Sequence, residues 1–292
     1  WAFFCAAGWS LAYPLIKLGY VQLHIASDDL GSKIGFAGIR FLFAGILVTI
    51  LAIIQKRKFK VEQKSVVAWL LLFALVNTAL HYLFSYVGLG YLPSSRSTIL
   101  DSMNGFFAII LSCIIFEDDK FSKFKALGCI LGFSGILLIN IEPGQNFFQG
   151  ISFRGDGMIL LNAMCGAFGG IITRIISKKM DMTVATSLSM TIGGAFLCVV
   201  SAIIGPAARW TITTESIIIM IGLILISAVC FGVYNQLLAY HPISKIAIFN
   251  AFIPILGVIF SSIILGEPMR VKYIIAGCMV ALGVYVMNHF SK

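Results

Sequence analysis

The chain has 292 residues, of which 59% are hydrophobic and only 11% charged, with a formal net charge of +9. An ordinary soluble domain carries roughly 25% charged residues, so this composition excludes an aqueous surface of normal size and makes lipid the implied solvent. The basic excess lies in the gaps between apolar runs and forms no single stripe, which points away from a nucleic-acid partner and toward membrane topology.

Windows of membrane-spanning length need about 20 apolar residues. They predict spans near residues 1–22, 34–54, 66–90, 95–116 and 122–141, then near 153–177, 183–205, 215–240, 243–265 and 271–290. The chain opens inside an apolar run at Trp1, without a basic leader or a small-residue cleavage motif, and this reads as a clipped first span and not as a signal peptide. The short connections leave little room for an extramembrane domain. The seven cysteines are scattered singly through the apolar runs, with no metal-ligand or redox spacing, and read as small packing residues.

Short cytoplasmic loops are enriched in Lys and Arg. The cluster Lys56, Arg57, Lys58, Lys60 and Lys64, together with Lys120, Lys123, Lys125, Arg174, Lys178, Lys179, Lys245 and Lys292, falls on one side. Only Lys33, Arg96, Arg154, Arg209, Arg270 and Lys272 fall on the other. Both termini are therefore expected in the cytoplasm of a cell-membrane protein. Trp69 and Trp210, near predicted span ends, fit an interfacial aromatic belt.

Sliding the chain against itself by 149 residues superimposes Tyr91, Pro93, Ser95, Ser112, Lys123, Gly128 and Cys129 on Tyr240, Pro242, Ser244, Ser261, Lys272, Gly277 and Cys278. In the same register Asp118 meets Glu267. Lys17 meets Arg174 only at an offset of 157, which implies a longer first loop. The expected fold is thus an all-α polytopic membrane protein with ten transmembrane helices. A first five-helix repeat spans 1–141, a connecting loop 142–152 and a second repeat 153–292. An odd number of spans inverts the second copy, so a pseudo-two-fold axis lies in the membrane plane, as alternating access requires.

Trp9 and Ser10 followed by Lys17, Arg40-Phe41-Leu42 at the opening of the second span, and Pro254 followed by Gly266-Glu267-Pro268 carry a further signal. With these motifs in this order, the chain resembles the drug/metabolite transporter superfamily and its EamA-type members over essentially its whole length. The resemblance implies cytoplasmic termini and a central cavity lined mainly by helices 1, 3, 4, 6, 8 and 9, with helices 5 and 10 peripheral. The chain departs from an even repeat where Gly105 stands for Pro254, Glu117-Asp118 for Gly266-Glu267, and Asp101 for Asn250.

Ionisable groups inside a bilayer cost roughly 2.5–3.5 kcal/mol each on insertion scales, so each requires an explanation. Lys17, Arg40, His81 and Asp101 fall in that class. At ~1.5 Å of rise per residue they share an outer-to-middle depth. Either Asp101 neutralises Arg40 or Lys17 and fixes helix packing, or the group forms a substrate or coupling site. Ser97, Asp101 and Asn104 recur at helical spacing on one polar face, and His81, Tyr82 and Ser85 offer the third span the same choice. Tyr234, Asn235, Gln236 and Tyr240, with Asn250 opposite, are expected as the inner counterpart. Gly128-x-x-x-Gly132 and Gly166-x-x-x-Gly170 read as helix contacts.

The function these features predict is a carrier that moves a small organic solute by alternating access, with protons as a candidate coupling ion. The candidate site comprises Lys17, Arg40, His81, Tyr82, Asp101, Asn104, Tyr234, Asn235 and Asn250. A channel or a scaffold is the alternative. The four histidines are dispersed over different depths, so neither an enzyme, a metal site nor a cofactor is expected. A free Asp101 favours a cationic or zwitterionic solute, and a free Arg40 or Lys17 an organic anion. The expected partners are the small-molecule solute and membrane lipid, and the expected assembly is a monomer or homodimer.

Overall fold

The computed structural model describes residues 1–59, 64–115, 122–140, 150–205, 210–240 and 248–289. Among these residues the chain is helical and contains no strand. In chain order, α1 is Ala2–Gln22, α2 Leu30–Ile54, α3 Val66–Leu89, α4 Ser94–Ile115 and α5 Lys123–Asn140. The second series runs α6 Phe153–Ile176, α7 Met182–Ile204, α8 Thr214–Tyr240, α9 Phe252–Leu265 and α10 Val271–His289. Seven of the described helices are long and apolar enough to cross a membrane, and Phe249–Leu265 and Val271–Met287 are shorter apolar helices. Large apolar side chains such as Ile203 at 79% exposure, Ile114 and Ile263 point outward. In water such a surface would be an aggregation patch; in lipid it is the solvated face.

Local chemistry sets the helix ends. The Asp29 carboxylate accepts the Ser32 N–H (2.9 Å) at the start of α2, and Asp181 accepts from Thr183 and Val184 (2.8 and 3.2 Å) at the start of α7. These caps satisfy first-turn donors that no helix carbonyl can reach. The α4 N-terminus has no cap from its own sequence. Instead Glu267, in the turn after α9, accepts from Ser94 N (2.6 Å), Ser95 N (3.0 Å) and Ser95 Oγ (2.6 Å). Gly266 ends α9 with φ +64, a left-handed conformation that other L residues adopt only with strain.

Small residues decide which helices meet. A Cβ built on Gly38 would lie 2.8 Å from the Cys198 backbone nitrogen, and one on Gly135 would lie 2.9 Å from the Ala276 carbonyl oxygen. Thus α2 lies along α7 and α5 along α10. Across the molecule α1 packs on α8 and α9, while α6 packs on α3 and α4. The expected Gly128/Gly132 contact is of this kind, with Gly128 against Gly283 and Met287 and Gly132 against Phe106.

Two sequence expectations change. The apolar windows place Lys33 in an outer loop ahead of a span beginning near 34, but α2 starts at Leu30 and buries it. Its ammonium donates to the Ser27 carbonyl and lies 4.2 Å from the centre of the Tyr91 ring, so the charge is solvated by the loop and an aromatic face. Of the expected Gly166-x-x-x-Gly170 contact only the first glycine takes part: Gly166 lies against Asn104 of α4 and His81 of α3, and Gly170 meets nothing within 4 Å. The expectations for Lys60, Glu117, Asp118, Lys120, Arg209, Pro242, Ser244, Lys245 and Lys292 lie outside the described residues.

Candidate functional site

The helices nearest the candidate residues are irregular where the polar groups stand. In α4 the regular helix stops at Asp101, and Gly105 N donates to Ser102 O (3.3 Å), three residues back, in place of the usual fourth. In the second half Asn250 sits in a 3-10 turn, Ile248–Ala251, that opens α9. Pro254 has no N–H to donate to the Asn250 carbonyl, which explains why the helix cannot run regularly there. In α3 a π-helical stretch, Ala74–Leu80, delivers His81 at its end. Such π stretches widen a helix locally and occur often at functional sites.

Asp101 accepts a hydrogen bond from Asn162 Nδ2 on α6, and the Tyr13 hydroxyl of α1 lies against it. His81 Nδ1 is 3.0 Å from the Asn162 carbonyl oxygen. A carbonyl only accepts, so Nδ1 carries the proton and Nε2 is left to accept. Among the described residues no hydrogen bond joins His81 to Asp101 directly; Asn162 bonds to both. Asn104 shares this corner, because a Cβ at Gly166 would come within 3.0 Å of both Asn104 Cγ and His81 Cε1.

Arg40 lies apart from this acid. It is 2% exposed, donates through Nε to Ser227 Oγ (2.8 Å) and through Nη1 to the Tyr86 hydroxyl (3.0 Å), and stacks over Phe41 at 4.9 Å. Tyr86 is itself held by Tyr20, whose hydroxyl donates to the Tyr86 carbonyl (2.7 Å). No carboxylate comes within ion-pair distance of Arg40 or Lys17 among the described residues, and no cation comes within that distance of Asp101. The expected packing role for Asp101, neutralising Arg40 or Lys17, is not what these contacts make. Lys17 is half-buried, four residues after Tyr13 on the same face of α1.

Tyr82 links the two regions. Its ring stacks on Phe41 (3.7 Å between centroids, 26°), meets His81 edge-on at 4.6 Å and reaches Phe231 at 6.4 Å. Phe231 continues to Trp9 (5.4 Å), and Trp9 meets Tyr234 edge-on at 4.8 Å. Asn250 Nδ2 is 3.0 Å from the Tyr234 hydroxyl, so the expected Tyr234–Asn250 pairing is present. Asn235 turns the other way, buried and bonded to Thr186 of α7. Among the described residues, the enclosed atoms Trp9 Nε1, Asn162 Oδ1 and Asn250 Oδ1 have no hydrogen-bond partner. No trio of histidine, cysteine or acidic side chains gathers among the described residues.

Sequence reasoning did not single out Tyr13, Tyr86, Asn162 or Ser227. Tyr13, Lys17 and Tyr20 follow one another at i, i+4 and i+7, a helix-face pattern that could have marked α1 as a third polar wall. Asn162 carried only the signal of an amide inside an apolar run.

An outward apolar surface, polar groups buried at broken helices and the small share of charge together define a multi-pass membrane protein. Residues 1–141 and 153–289 both match the EamA-like transporter family, and the chain belongs to it. It is 26% identical over 288 residues to the uncharacterized transporter YvbV of Bacillus subtilis (strain 168), covering 97% of this chain and 89% of that one. It is 25% identical over 261 residues to a WAT1-related chloroplastic protein of Arabidopsis thaliana, covering 86% and 62%. One solved crystal structure superposes with a TM-score of 0.69 over 99% of this chain and 97% of that one at 12% identity, which speaks to the fold alone. The protein is a membrane transporter of small solutes.

Proposed function

We propose that this chain is a carrier with ten transmembrane helices in two inverted five-helix repeats, 1–141 and 153–292, which moves a small organic solute by alternating access. The observation that carries the reading is the pairing of Asp101 with Asn250. They are equivalent positions in the repeat, and both stand where their helix is broken. Broken helices at a repeat interface are where inverted-repeat carriers hold solutes. The contacts support it as well, because the pattern maps onto itself when the halves are exchanged. α1 with α8 and α9 becomes α6 with α3 and α4, while α2–α7 and α5–α10 map onto themselves.

In this reading Asp101, Tyr82, His81, Asn104 and Arg40 line the outer-to-middle part of the path, and Tyr234 and Asn250 the inner part. Lys17 lies beside Tyr13 on the α1 wall. Asn235 is assigned to helix packing. Both termini face the cytoplasm, and Asp101 is the group that a coupling proton would load. Reconstituted in vesicles, the protein should show saturable solute exchange without single-channel current. An Asp101→Asn protein that elutes as one species should lose exchange at least about tenfold, the scale of one buried charge interaction. Wild-type exchange with an unchanged pH profile in that folded variant would remove Asp101 from the site, and single-channel current would replace the carrier with a pore.

A further inference from the structure

We infer that the edge of the bundle where α2 ends and α7 begins is a docking surface for an anionic phospholipid, whose phosphate is shared by Lys56 and Lys58 of the first half and Lys178 and Lys179 of the second. This goes beyond the carrier reading and does not depend on it. An ion pair frames the surface. Arg57, just past α2, reaches Asp181 Oδ2 (3.3 Å), while Asp181 Oδ1 caps the start of α7. The acid is thereby used on both oxygens. The four lysines stand within three residues of this pair in sequence, and all four are exposed. None has an acid partner among the described residues. Lys179 instead stands over the Trp69 ring of α3, at 5.9 Å.

The backbone points the same way. α2 closes with Arg57 N donating to Ala52 O (2.9 Å) and Lys56 N to Ile53 O (2.9 Å). The left-handed residue of such a closing turn is usually glycine. Here it is Lys56, at φ +55. At the repeat offset of 149 the corresponding residue is Gly205, also at positive φ (+78), and Lys58 falls on Ala207. The second half thus makes its turn with the residue that adopts positive φ without strain, and the first half holds a lysine there at a conformational cost. What the lysine adds is its charge.

Below these charges the wall is apolar. Ile53 and Ile54 of α2 (61% and 69% exposed) and Val67 and Leu71 of α3 face outward. The partly exposed Trp69 beside them is a side chain favoured at the headgroup level of a bilayer. Four ammonium groups above exposed aliphatic side chains match the two parts of an anionic phospholipid, its phosphate and its acyl chains. A zwitterionic headgroup brings its own cation into the cluster and loses most of the attraction, and a soluble phosphate lacks the chains. Each basic residue near a bilayer surface raises affinity for anionic lipid about fivefold. Because the lysines come from both halves, one lipid ties the end of α2 to the turn between α6 and α7.

The test is native mass spectrometry of the detergent-purified protein equilibrated with equimolar phosphatidylglycerol and phosphatidylcholine of identical acyl chains. Phosphatidylglycerol should be retained at least about tenfold over phosphatidylcholine. Lys56→Gln with Lys58→Gln, and separately Lys178→Gln with Lys179→Gln, should each cut that preference at least about fivefold, the scale of one such lysine. Replacing all four lysines by arginine keeps the charge and should keep the preference. Glycerol phosphate in large excess should leave the lipid bound. Equal retention of the two lipids by the wild type, displacement by glycerol phosphate, a preference that survives either glutamine pair, or its loss in the arginine protein would overturn the proposal. The first two outcomes are read on the wild type, so a variant that fails to fold does not shield the proposal from refutation.

Discussion

Replacing Glu267 by alanine should loosen the start of α4 from the far end of the chain. The carboxylate accepts two backbone N–H groups and one hydroxyl at 2.6–3.0 Å, linking the turn after α9 to the N-terminus of α4 across 172 and 173 residues. Those N–H groups have no carbonyl to bond within the helix. Losing an N-cap costs about 1 kcal/mol, charge-assisted bonds are worth roughly twice neutral ones, and a negative charge at a helix start adds about 0.3–1 kcal/mol. We therefore expect about 2–3 kcal/mol of destabilisation for Glu267→Ala. At roughly 2–4 °C per kcal/mol for a chain of this size, Tm should fall by about 4–12 °C when unfolding is followed by tryptophan fluorescence in detergent. Glu267→Gln keeps one accepting oxygen and should fall between. If Glu267→Ala melts with the wild type, or Glu267→Gln is as unstable as Glu267→Ala, the carboxylate is not the cap described.

Three further outcomes follow from the packing and the charges. Gly38→Val drives side-chain atoms into the Cys198 backbone, which has no rotamer to yield; it should cost about 1–3 kcal/mol, while Gly222→Ala, facing open space, should leave Tm unchanged. Arg96→Gln removes the partner of Asp156 (Nε to Oδ1, 2.8 Å), an acid only 4% exposed. Thermal unfolding should show a loss of about 3 kcal/mol, partly recovered by adding Asp156→Asn. For orientation, a cysteine introduced at Thr213 in a cysteine-free background should react with an impermeant reagent in intact cells, and one at Lys58 should be protected; the reverse pattern would invert the assigned topology.

What the sequence made legible followed from the solvent. Lipid demands long apolar runs, so the helices could be read to within a few residues, and it penalises charge, so Arg40 and Asp101 stood out at once. It could not show how these charges are partnered. Asp101 takes its amide from Asn162, 61 residues away, and Arg40 its hydroxyls from Tyr86 and Ser227, 46 and 187 residues away. Side chains that meet only when helices pack leave no spacing in the sequence. Lys33 was misplaced for a related reason. A lysine near a span boundary reads as a loop residue, but the Ser27 carbonyl and the Tyr91 ring let the helix begin four residues earlier, at Leu30, and bury it.

The repeat governs packing and fails at the site, and both behaviours fit the proposed carrier. At the offset of 149, Gly45 falls on Gly194, and each lies in the α2–α7 seam, Gly45 against Thr191 and Gly194 against Leu42. Self-matched seams let two halves exchange conformations at little difference in energy, which alternation needs. At the same offset Arg40 falls on Ser189, His81 on Cys230, Tyr82 on Phe231 and Asp101 on Asn250. If these charges served only to hold helices together, the second half, with the same seams, would need their counterparts. It keeps the contacts without the charges. Packing is thus satisfied by the shared small residues, and the unshared polar ones are left for something that is not itself symmetric.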